Sequence, residues 1–106
     1  MVTEATPVDL ERLKKVSEGE VSNLKEYINL LEGIIETLEE DIFQTRVKAK
    51  EFLKAGQKEN YGHLMERVKE TIERIDTCHK CIEECTIDLE RKERRLKEFN
   101  ALLFGK

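Results

Sequence analysis

Apolar residues recur along this chain at alternating intervals of three and four, and the alternation is interrupted once. In the first half a seven-residue repeat puts Val21, Ile28, Ile35, Ile42 and Ala49 at position a, with Leu24, Leu31, Leu38, Thr45 and Phe52 at d. In the second half Val68, Ile75, Ile82, Leu89, Leu96 and Leu103 take a, with Leu64, Thr71, Cys78, Cys85, Lys92 and Phe99 at d. A repeat sustained over so many turns is a coiled-coil seam, because it keeps one stripe of each helix facing one partner.

The punctuation agrees with the periodicity. Thr6-Pro7-Val8-Asp9 is a helix start: threonine suits the N-cap, proline the first helical position, and Asp9 the positive end of the helix dipole. The break lies at Lys54-Ala55-Gly56-Gln57-Lys58-Glu59-Asn60, where Gly56 suits a left-handed C-cap and Asn60 a new N-cap. The predicted fold is all-α: one domain over residues 1–106, with helix 1 over about 7–54, a turn over 55–60 and helix 2 over about 61–104. Gly19 and Gly33 lie inside helix 1 and weaken it by about 1 kcal/mol each relative to alanine.

The two registers fix the chain direction. An antiparallel pair sets a against d at a constant sum of residue numbers, and here 52 meets 61, 42 meets 71, 35 meets 78 and 24 meets 89, each summing to 113. Half of that sum falls beside Gly56, so heptads and glycine place the same turn. The same geometry brings Glu20 near Arg95, Asp41 near Arg74 and Glu32 near His79, but also Lys48 near Arg67. Exposed pairs of this kind contribute at most about 1 kcal/mol each, so they select register more than they stabilise.

Composition narrows the class. Charged residues make up 40% and aromatics 6%, with no tryptophan and one proline, the mixture of long helices. A hydrophobic content of 39% supplies more apolar surface than a disordered chain carries. The net charge of −4 argues against nucleic acid as a partner, since phosphate contacts need a surplus of lysine and arginine. No apolar run approaches the ~20 residues of a membrane span, and the acidic N-terminus lacks a signal-peptide pattern. Three cysteines without framework spacing point to a reducing, cytoplasmic location.

Residues 78–85, CHKCIEEC, are the one candidate for chemistry. At 100° per residue Cys78, Cys81 and Cys85 share a helix face with Ile75, Ile82 and Leu89. Cys78 and Cys85 are seam positions, Cys81 flanks the seam, and His79 points to the other flank. Zinc needs four ligands at about 2.0–2.3 Å, yet Cys78 and Cys85 are two turns apart on one helix, roughly 10 Å. A redox pair would want a helix N-terminus to lower the thiol pKa, and this one is mid-helix. The expectation is therefore three core thiols, no cofactor and no metal. No phosphate loop, and no nucleophile beside a base, occurs elsewhere, so the chain reads as a non-enzyme.

A second apolar stripe lies outside the seam. Leu13, Val16, Tyr27, Leu30 and Ile34 occupy g and c positions of helix 1, interrupted by Glu20 and Asn23, with Cys81 and Leu102 flanking from helix 2. An apolar strip on a helix that is already paired calls for another helix to bury it. The five residues are the predicted partner-binding set. The partner is either a second copy, giving a homo-oligomer and a larger helical bundle, or a different protein. Phe43 and Val47 point away from both stripes.

The turn and its approaches, Ala49-Lys50-Glu51-Phe52-Leu53-Lys54-Ala55-Gly56-Gln57-Lys58-Glu59, resemble the hairpin of the ESCRT-III family, the charged multivesicular body proteins. The resemblance implies two long antiparallel helices joined at a leucine-lysine-x-glycine-x-lysine turn, and copies assembling side by side into membrane-remodelling filaments. This chain then runs Asn60-Tyr61-Gly62 into a helix of mixed charge, where the family usually has alanine-leucine and a basic run. Membrane contact is left open for that reason. Leu10-Glu11-Arg12-Leu13 and Glu59-Asn60-Tyr61 are similar to tubulin-binding cofactor A, which would imply a small three-helix chaperone. The readings are thus an interaction or assembly hairpin, a chaperone or adaptor, and, from another class, a thiol-based metal carrier.

Overall fold

A computed structural model describes residues 7–104 of the chain. They form two helices, α1 (Pro7–Lys54) and α2 (Lys58–Phe104), and no strand. The architecture is the all-α coiled-coil hairpin that the heptads predict. Pro7 opens α1 with Asp9 in its first turn, as the start signal requires.

The turn is a Schellman motif. Gly56 has φ of 76°, the left-handed region that side chains with a Cβ resist. Its N–H donates to the carbonyl of Leu53 at 3.1 Å, and the N–H of Gln57 donates to that of Phe52 at 2.9 Å. Those are the two bonds that satisfy the last carbonyls of such a helix. The predicted turn of six residues is too long: α2 begins at Lys58, not near residue 61. Asn60 is also not the N-cap. Gln57 takes that place, its carbonyl accepting from the Tyr61 N–H at 3.1 Å, and the Asn60 side chain donates back to Gln57 Oε1 at 2.9 Å. One left-handed glycine reverses the chain, so a single further residue suffices before the next helix starts.

By proximity the chain divides into two units, a turn unit over Leu30–Ile82 and a terminal unit holding α1 up to Asn29 and α2 from Glu83. In the turn unit the buried residues are Leu31, Ile35, Thr45, Ala49, Val68 and Thr71, every one of them at a or d. The Thr71 hydroxyl donates to the Arg67 carbonyl at 2.9 Å, which satisfies it inside the seam. In the terminal unit Val21 and Ser17 are buried, and Ser17 continues the d column one heptad beyond the predicted seam. Among the described residues no large side chain is withdrawn from solvent completely. Two helices cover each seam residue from one side only, so the other apolar seam positions are half-buried.

Among the described residues, an ion pair joins the helices in each unit. In the turn unit Arg67 donates to Asp41 at 3.0 Å. The expected partner was Arg74; the long Arg67 side chain, also at g, reaches Asp41 from one heptad nearer the turn. In the terminal unit Lys92 donates to Glu20. Lys92 holds a d position, where its stem lies along the seam and its ammonium extends outward to the carboxylate. Arg95, the expected partner, acts on Glu20 at longer range. Lys14 adds a cation–π contact, with Nζ 5.1 Å from the ring centre of Phe104.

Candidate interaction face

The candidate residues all belong to α1. Its g column runs Leu13, Glu20, Tyr27, Ile34 and Asp41, and its c column Val16, Asn23, Leu30, Thr37 and Gln44. In the terminal unit Leu13, Val16 and Tyr27 are exposed; in the turn unit Leu30 and Ile34 are exposed. The contrast with sequence neighbours is sharp. Leu30 is 60% exposed and Leu31 6%; Ile34 is 39% exposed and Ile35 6%. One residue along the helix is a rotation of 100°, enough to carry a side chain from the seam to the outside. All five residues predicted for partner binding therefore lie outside the hairpin's own core.

Electrostatics leaves this face close to neutral. Between Leu13 and Gln44, Glu20 and Asp41 are the only charged residues in the two columns. Both are paired inside the hairpin, with Lys92 and Arg67 respectively. The Lys92 hydrogen bond, then its charge, hold the Glu20 carboxyl below its ordinary pKa; burial opposes this and Arg95 reinforces it. Glu20 thus stays ionised and matched rather than presenting a bare charge. Thr37 turns its hydroxyl inward along the helix, donating to the Gly33 carbonyl at 3.1 Å. A Cβ built on Gly19 or Gly33 would meet nothing within 4 Å, so the hairpin itself makes no use of their small size.

No family model, curated protein or solved structure matches this chain.

Other surfaces offer less. A groove of about 380 Å³ in the turn unit is lined by Asp41, Gln44, Thr45, Lys48, Leu64 and Arg67 among others. Phe43 and Val47 form an exposed i, i+4 pair on a different side of α1, as the sequence places them. Leu53, Ile72, Ile87 and Phe104 are exposed as well; they lie outside both predicted stripes, and only their positions off the a and d columns signal it. No described helix is long and apolar enough to cross a membrane.

The cysteines are free and half-buried, Cys78 and Cys81 in the turn unit and Cys85 in the terminal unit. Among the described residues no group of three or more His, Cys, Asp or Glu side chains is arranged to hold a metal ion. Half-buried thiols at d positions act as small hydrophobes. Replacing Cys78 and Cys85 together by alanine or valine is expected to change stability by about 1–2 kcal/mol without abolishing folding. Added zinc should leave the melting temperature of the parent unmoved. A rise with zinc that disappears in the substituted protein would make these thiols ligands.

Proposed function

We propose that this protein is a non-enzymatic helical-hairpin interaction module, whose working surface is the c and g face of α1. The carrying observation is that Leu30 and Ile34 stand exposed in the turn unit, where Asp41 on the same face is paired with Arg67 within the hairpin. An apolar, charge-matched helix face is what a further helix buries in a bundle. Full burial of one leucine or isoleucine side chain is worth roughly 1.5–3 kcal/mol, which makes such a contact favourable despite the entropy of association. The similarity of the Leu53–Lys58 turn to ESCRT-III hairpins supports an assembly subunit as the form this module takes. Three free thiols fit a reducing compartment such as the cytoplasm.

The test is Leu30→Glu combined with Ile34→Glu. Helicity and the denaturation midpoint of the hairpin should hold, while self-association in sedimentation weakens by at least about tenfold. In dilute protein, the fluorescence of an apolar dye such as anilinonaphthalene sulfonate, expected on the parent, should fall in the variant. Unfolding of the variant would place these residues in the hairpin core. A folded variant that associates and binds dye like the parent would move the surface elsewhere, with Phe43 and Val47 the next residues to change.

A further inference from the structure

We propose that the terminal unit is a latched end of the hairpin, which opens while the turn unit stays closed, and that Lys92 with Glu20 is the latch. The two units are closed by different means. In the turn unit both helices bury seam residues, Leu31, Ile35, Thr45 and Ala49 from α1 and Val68 and Thr71 from α2. Among the described residues of the terminal unit only Ser17 and Val21 are buried, both from α1. The a and d residues of α2 from Cys85 to Leu103 are all half-buried. Serine adds almost no apolar surface to this seam. A segment with fewer buried apolar contacts opens at a lower free energy than the rest of its chain.

The d column of α2 adds a charge at this same end. Lys92 is the only charged residue in the predicted seam, and it stands where a leucine would close the layer. Its ammonium leaves the apolar seam to donate to Glu20 of α1. The lysine side chain is 25% exposed and the glutamate 43%, so water competes for both partners. A pair in that setting adds little to closure, and parting it lets both charges hydrate. The helical stability of each arm comes mostly from packing, so arms that part also release their backbone hydrogen bonds. Opening at this end exposes the apolar seam residues Leu24, Ile28 and Leu89. The latch is independent of the interaction reading, because Leu30 and Ile34 belong to the turn unit.

Residue-resolved amide hydrogen exchange on dilute full-length protein reads both parts. Leu24 and Leu89 report the terminal unit, and both lie well inside their helices, beyond the reach of end fraying. Ile35 and Thr71 report the turn unit. In the parent, Leu24 and Leu89 should exchange at least about tenfold faster than Ile35 and Thr71. Val68→Ala should speed exchange at Ile35 and Thr71 and leave Leu24 and Leu89 unmoved, because the terminal unit opens without breaking the turn unit. Lys92→Leu should slow Leu24 and Leu89 by about tenfold, since an apolar side chain closes the layer that the charge holds ajar. Glu20→Gln should speed them several-fold, and should have no such effect in a protein that already carries Lys92→Leu. Equal exchange at all four sites in the parent, or acceleration of all four by Val68→Ala, would mean one cooperative hairpin and overturn the opening. Faster exchange at Leu24 and Leu89 in Lys92→Leu, or a Glu20→Gln effect that persists beside it, would overturn the latch.

Discussion

Leu31→Ala should destabilise the hairpin by about 2 kcal/mol, and Leu30→Ala, its immediate neighbour, by no more than about 0.5 kcal/mol. The two leucines are chemically identical and adjacent, so propensity and unfolded-state effects nearly cancel in the comparison. What remains is burial: Leu31 at d is 6% exposed and Leu30 at c is 60% exposed. The expected cost for Leu31 sits at the low end of the range for leucine truncations. A seam covered from one side can relax into the space left, which a core closed on all sides cannot do. Urea denaturation followed by circular dichroism at low micromolar concentration measures both, below the range where association would add to the Leu30 value. Equal costs would mean that Leu30 is packed within the hairpin, and the interaction face would lose its basis.

Gly56→Val is expected to lower stability by about 1–3 kcal/mol, the cost of holding a β-branched residue in the left-handed region. The φ of 76° at Gly56 is the only positive value among the described residues. Both bonds of the Schellman motif depend on it, the Gly56 N–H to Leu53 and the Gln57 N–H to Phe52. Space does not enter, since a Cβ at this position would meet nothing within 4 Å. Gly56→Asn should therefore recover most of the loss, because asparagine tolerates this conformation. Thermal melts of the three proteins separate the two causes. A tolerated valine would show that the turn adopts another geometry, and with it the register of the whole seam would be in question.

The elements most legible in the sequence were those set by many residues at once. Eleven heptad positions at a and as many at d define the seam redundantly, so no single misread position shifts it. The antiparallel sum then confines the turn to Gly56, and the stripe of Leu13, Val16, Tyr27, Leu30 and Ile34 follows from the same rotation per residue. Features set by one or two side chains were less legible. Asn60 is a plausible N-cap by residue type, but whether it caps depends on where Gly56 has already turned the backbone, and Gln57 stands there instead. Arg67 and Arg74 both hold g positions of α2, and the difference between pairing Asp41 with one or the other is smaller than a sequence pattern can resolve.

By itself, then, the sequence determined the all-α class, the two helices, their antiparallel direction and the face of α1 that its own partner does not cover. These follow from periodicity, which is a property of the helix and needs no knowledge of contacts. The tertiary structure decided the start of α2 at Lys58, the pairing of Asp41 with Arg67, and the placing of Lys92 in the seam with its ammonium on Glu20. It also decided how deeply each position is buried: Leu31 and Ile35 nearly closed off, the three cysteines only half so. Those outcomes depend on side-chain reach and on how closely two particular helices approach, quantities that exist only once both backbones are in place.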